Sequence, residues 1–102
     1  MVWTWFACAP AVERVLARDG DPVAGEQVYA EACAGCHGDD AAGGVGPGGL
    51  EGPDLRGIDD TDAELADKIL WGWGAMDPMR DVLGVGEVAD VIAWLRASGI
   101  AP

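Results

Sequence analysis

Between His37 and Ile58 the chain reads GDDAAGGVGPGGLEGPDLRG, and no other stretch limits the fold so severely. Glycine loses more backbone entropy than other residues when fixed in a helix or strand, and proline lacks the N–H that both need. The run therefore excludes a helix interior and a regular strand and reads as one long loop, which needs a body to wrap. Composition points the same way. Among 102 residues there are 16 Gly and 6 Pro, while half are hydrophobic, a mixture expected of compact helices joined by long turns. A chain this short forms one domain and buries a smaller share of its surface than a larger one, so an added apolar body would help it.

Helical signals lie on either side of that loop. Asp21 is a capping residue, Pro22 suits the first helical position, and Gly25, Val28, Tyr29 and Ala32 share one face of a helix running into Cys33. Thr61-x-x-Glu64 is a capping box, followed by Leu65, Ile69 and Leu70 at helical spacing, with Gly72 near the end. A second loop, 72–83, carries Met76 and Met79. The last helix spans about 86–97, with Val88, Val91, Ile92 and Leu95 on its apolar face, Trp94 beside them and Gly99 as its stop. Neither a strand alternation nor an internal repeat is present. The expected fold class is all-α: three main helices and long loops, with the domain at 21–102 and an N-terminal segment and linker at 1–20.

That N-terminal segment has two open readings. Met1 to Cys8 is apolar but has no Lys or Arg ahead of it, and it is shorter than the ~7–15-residue apolar core plus flanks of a signal peptide. It reads either as the tail of an export signal or as a frayed terminus with an incidental thiol. In the first case Cys8 loosely resembles the lipidated cysteine of bacterial lipoproteins and would be a membrane anchor, although Trp5 and Phe6 fit that pattern poorly. Elsewhere nothing approaches the ~20 apolar residues of a spanning helix.

The formal charge of −12, with six basic residues, argues against nucleic acid, whose phosphates are bound by clustered Lys and Arg. Acids are densest between Asp39 and Asp67, where Arg56 is the one base. Such a run is a solvated surface or steers a basic partner.

Cys33-Ala34-Gly35-Cys36-His37 is a C-x-x-C-H, the mark of covalent haem attachment. On a helical turn, two thiols three residues apart can each add to one porphyrin vinyl group, and the adjacent imidazole then lies beneath the iron. His37 is the only histidine. Other readings compete. With Cys8 the motif would supply a Cys₃His zinc set; a thioredoxin-like pair would want a βαβ context, which is missing; and a disulfide would close too small a loop to stabilise much.

From Asp21 to Ser98 the chain resembles the class I c-type cytochromes. GEQVYAEACAGCHG is similar to that family's first helix and attachment site, and ADVIAWLRA to its last helix, with Gly25 and Tyr29 meeting Val91 and Trp94. The resemblance implies the cytochrome c fold, covalent haem c held by Cys33 and Cys36, and His37 as axial ligand. GPDLRG resembles the loop whose proline carbonyl accepts the histidine's hydrogen bond, which would be Pro53, with Pro47 a second candidate. GWGAMDPM resembles the methionine loop and implies Met76 as second ligand. Asp77 replaces the family's usual proline there, which leaves Met79, after Pro78, as an alternative. Trp71, Trp73 and Trp94 read as core or cofactor packing, or, for Trp73, as a docking contact. Arg56 reads as a haem-propionate partner or as a plain surface residue. The implied function is electron transfer rather than enzymatic catalysis, by a free or tethered carrier or a subunit of a redox complex. Redox proteins, a basic one among them, are the implied partners, and a periplasmic or otherwise extracytoplasmic location follows. A haem enzyme or gas-binding module with an open sixth position is the alternative.

Overall fold

The computed structural model describes residues 10–46, 49, 51–74 and 76–102. In chain order the elements are helices α1 (Ala11–Leu16), α2 (Pro22–Ala32) and α3 (Ala34–His37), strands β1 (Gly44–Val45) and β2 (Glu51–Gly52), and helices α4 (Asp62–Trp71) and α5 (Val85–Ala97). The three main helices are α2, α4 and α5, as expected.

Each starts where its capping chemistry lies. The Asp21 carboxylate accepts from the Val23 N–H at 3.0 Å, with Pro22 in the first turn. Thr61 Oγ1 accepts from the Glu64 N–H at 3.1 Å while the Glu64 carboxylate accepts from the Thr61 N–H at 2.9 Å. Two N–H groups that the helix leaves unpaired are thereby satisfied. The bond from the Thr61 backbone, helped by the Thr61 hydroxyl, holds the Glu64 carboxyl below its ordinary range. At α5 the Glu87 carboxylate accepts from the Gly84 N–H at 2.9 Å, and the helix begins one residue earlier than expected.

The frame is the crossing of α2 on α5. At Gly25 the two backbones touch: a Cβ there would be driven into the Asp90 carbonyl of α5. Asp90 also accepts, through Oδ1, from the Asp21 N–H at 2.8 Å, so one residue of α5 ties down the start of α2. Beside the glycine, Tyr29 and Trp94 pack with ring centroids 4.7 Å apart and planes tilted 38°. This is the glycine-and-aromatic packing implied by the resemblance. Val88, Val91, Ile92 and Leu95 of α5 are buried with Leu65 and Leu70 of α4. Arg96 joins the ends of these helices by donating to Asp62 Oδ1 (2.9 Å), the Asp60 carbonyl (2.7 Å) and the Pro102 carbonyl (2.6 Å).

Two features depart from expectation, one in the N-terminal segment and one in the long loop. Residues 11–16, read as linker, form α1, which packs on α4 and α5 and buries Val15 to 3% exposure. The first helix runs into Cys33 as expected, and Cys33, at φ −118° and ψ −35°, separates α2 from the single turn of α3. The long loop holds a ladder after all, since β1 and β2 pair antiparallel with Gly44 opposite Gly52 and Val45 opposite Glu51. Only backbone groups are needed for that pairing, so it leaves no trace in side-chain alternation.

Candidate functional site

A cavity of about 410 Å³ opens between the long loop, the methionine loop and the helical frame. Tyr29, Cys33 and His37 wall it from α2 and α3, Pro53, Leu55 and Ile58 from the loop, Leu65 and Ile69 from α4, and Val91 and Leu95 from α5. Most of these side chains are apolar, so the space suits a flat hydrophobic body better than water.

His37 is 9% exposed. Its Nδ1 lies 2.9 Å from the Pro53 carbonyl oxygen. A carbonyl only accepts, so Nδ1 carries a proton and donates, which leaves Nε2 as the ring nitrogen available to a metal. The turn that holds the ring is fixed on both sides. The His37 N–H donates to the Cys33 carbonyl at 3.0 Å, and the His37 carbonyl accepts from the Gly43 N–H at 2.7 Å. Tyr29, whose hydroxyl donates to the Gly38 carbonyl at 2.7 Å, closes the turn from the α2 side. Burial, with the Cys33 thiol and the Asp40 and Asp39 carboxylates nearby, pushes the Tyr29 phenol up to about 12, so this donor stays protonated at neutral pH.

Cys33 lies in the cavity wall, and its thiol is pushed up to about 11 by burial and the neighbouring Cys36. Cys36 is half-buried and is not part of the wall; it lies under Gly46 and Gly52, and no disulfide joins the two cysteines. Among the described residues no three His, Cys, Asp or Glu side chains gather as metal ligands, and Cys8, the fourth member of the zinc reading, lies outside those residues.

The two methionines separate. Met76 is half-buried and lines the cavity that His37 lines. Its backbone is clamped to Trp73: the Trp73 N–H donates to the Met76 carbonyl at 3.2 Å and the Met76 N–H to the Trp73 carbonyl at 3.0 Å. Met79 packs against the helical core, with its N–H on the Ile69 carbonyl at 2.9 Å, and is not part of the wall. Pro47 lies outside the described residues, whereas Pro53 makes the histidine contact.

Arg56 is not in the wall. It forks onto Asp54 through Nε (3.0 Å) and Nη2 (2.9 Å), and that pairing holds the Asp54 carboxyl below its usual range. The cation in the wall is Lys68, which sequence reasoning passed over. Its Nζ is 2.7 Å from Asp60 Oδ2 and 4.9 Å from the centre of the Trp73 ring. The signal was available, because Lys68 follows Leu65 by three positions and precedes Ile69, both on the cavity side of α4. Trp73 lines the cavity while remaining 68% exposed, Trp71 is 51% exposed under Arg80, and Trp94 is the packing residue of the helix crossing.

Residues 20–95 match the protein family described as cytochrome c oxidase, cbb3-type, subunit III. Cytochrome c-L of Methylorubrum extorquens is 37% identical over 73 residues, which is 71% of this chain and 37% of that relative's length. The crystal structure of cytochrome cL from Methylophaga aminisulfidivorans superposes with a TM-score of 0.64 at 30% identity, covering 78% of this chain and 54% of that one. Cytochrome cL from Hyphomicrobium denitrificans gives 0.63 at 31% identity, covering 86% and 58%. The chain thus spans little more than a third of the length of the curated relative it matches and somewhat over half of each solved chain.

Proposed function

As the chain belongs to the cytochrome c family matched across residues 20–95, we propose that it transfers single electrons through a haem iron held axially by His37 and Met76. The fold is the cytochrome c fold and the cofactor is covalently bound haem c. When bound, that group supplies an iron that cycles between ferric and ferrous states. The residues here fit it: an apolar cavity has in its wall an imidazole held through Nδ1 by the Pro53 carbonyl, a thiol beside it and a thioether from a separate loop.

In this reading Cys33 and Cys36 hold the group, His37 binds the iron, and the Pro53 carbonyl orients the imidazole and makes it a stronger donor. Met76 supplies the soft second ligand. Leu55, Ile58, Leu65, Val91 and Leu95 keep water out, which raises the potential together with the thioether. No side chain of this chain is needed as acid, base or nucleophile, so the domain is read as a carrier or a redox subunit rather than an enzyme. It is placed outside the cytoplasm, and Cys8, the lipid-anchor candidate, lies outside the described residues. The observation that carries the proposal is the convergence of His37, Pro53 and Met76 on one cavity.

Protein produced together with haem-attachment machinery is expected to keep its colour through acidified organic solvent, and its ferrous form to bind carbon monoxide poorly. Extractable colour would remove the covalent assignment. Ready carbon monoxide binding by the unaltered protein would replace the carrier with an open-site enzyme or gas-binding module.

The formal charge of −12, before the propionates are added, favours a basic protein partner. Second-order electron transfer with a basic partner is expected to slow by about tenfold or more between low ionic strength and ~0.5 M salt, as the Debye length contracts below 10 Å. A rate independent of salt would leave the charge as a solubility device.

A further inference from the structure

The β1–β2 ladder lies directly on the attachment turn. A Cβ on Gly52 would be driven into the Cys36 carbonyl, and one on Gly46 into the Cys36 thiol. Neither glycine is in the left-handed region, so backbone conformation does not require glycine at either place; space does. The same segment holds His37 at two points. Gly43, just before β1, donates to the His37 carbonyl at 2.7 Å, and Pro53, just after β2, presents the carbonyl that accepts from His37 Nδ1 at 2.9 Å.

We propose that residues 43–46 and 51–53 form a strap whose side-chain-free contact with Cys36 sets where Pro53 stands, so that Gly52 is a positioning residue for the axial histidine. The inference rests on the haem reading above and goes further, because it assigns a role to the β1–β2 ladder. With β2 lying against the Cys36 backbone, the next residue in the chain is brought within hydrogen-bond distance of the imidazole. If β2 is lifted by one methyl group, either the α3 turn or the Pro53 carbonyl must move. A longer or bent Nδ1–H···O bond makes the imidazole a weaker donor, which favours the ferrous state.

The test is a matched pair of glycine-to-alanine changes flanking the same cysteine. Gly52→Ala is expected to raise the midpoint potential of the haem-loaded protein and to speed exchange of the His37 Nδ1 proton by about tenfold or more. Gly35→Ala, whose Cβ meets nothing within 4 Å, is expected to leave both at the wild-type value. Equal behaviour of the two variants overturns the proposal.

Should Gly52→Ala fail to accumulate, amide exchange in the wild-type loaded protein decides. If the Gly43 and ladder amides are protected as strongly as those of α3, the strap and the turn open together and the proposal stands. Free exchange in the ladder beside a protected α3 overturns it. Wild-type protein that never acquires covalent haem defeats the functional reading instead, and that outcome is separate from these.

Discussion

Replacing Met76 with Ala is expected to abolish the weak sulfur-to-iron band of the ferric protein and to let carbon monoxide bind the ferrous form readily. The midpoint potential should fall by on the order of 100 mV, a modest part of the ~0.8 V that axial ligation spans. The expectation rests on Met76 sharing a cavity wall with His37, while Met79 does not. Met79→Ala removes a side chain packed against the core and should instead cost about 1–2 kcal/mol of stability, less than the roughly 2–5 kcal/mol for a fully buried methionine because the residue is only half-buried. Its spectrum should stay unchanged. The reverse pattern, with the band lost in Met79→Ala alone, would place the ligand three residues further along the loop and leave the carrier function standing.

Gly25→Val is expected to be the most destabilising single change in the helical frame. In a helix, glycine is itself unfavourable by about 1 kcal/mol relative to alanine. A side chain would thus help if there were room, but a Cβ at this site runs into the Asp90 carbonyl, and backbone cannot swing aside as a side-chain tip does. Overpacking costs about 1–3 kcal/mol in ordinary cores. Here it also threatens the Asp21 N–H bond to Asp90, at 2.8 Å on the same turn. A loss of about 3 kcal/mol or more is expected for Val, lowering the thermal midpoint by roughly 12–24 °C for a domain of this size. Gly25→Ala should show a smaller loss of the same sign. Thermal unfolding of the loaded protein checks both, and an unchanged midpoint for Val would show that α2 and α5 do not approach so closely in solution.

The parts of this architecture that were legible in the sequence have side-chain causes. Asp21, Pro22 and the Thr61–Glu64 pair mark helix starts because their chemistry satisfies N–H groups that any helix leaves open. The attachment turn was legible because C-x-x-C-H names its residues, and the placing of Pro53 against His37 and of Met76 in the same cavity wall because of the motifs around them. What was missed depends on tertiary placement. The six residues of α1 are too few to show a period, and they are held by Val15 reaching the core with Ala11 and Val12 packed beside it. The β1–β2 ladder is made by backbone groups of residues whose side chains say loop. Lys68 was overlooked because a lysine on a helix reads as solvent-facing, whereas here Asp60 and the Trp73 ring hold its head at the cavity wall.

The meeting of α2 with α5 also has a kinetic meaning. Some fifty residues separate the two helices in the chain, so their contact closes a large loop before most of the intervening chain has native neighbours. The entropy of such a closure grows only slowly, about 0.6 kcal/mol for each doubling of length, but it must be met before the contacts it permits can repay it. A group anchored at the α3 turn and touched by Leu65, Ile69 and Met76 would divide that single closure into shorter ones, each ending on the same hub. On this view cofactor attachment early in the chain turns a slow, non-local topology into a sequence of nearly local searches.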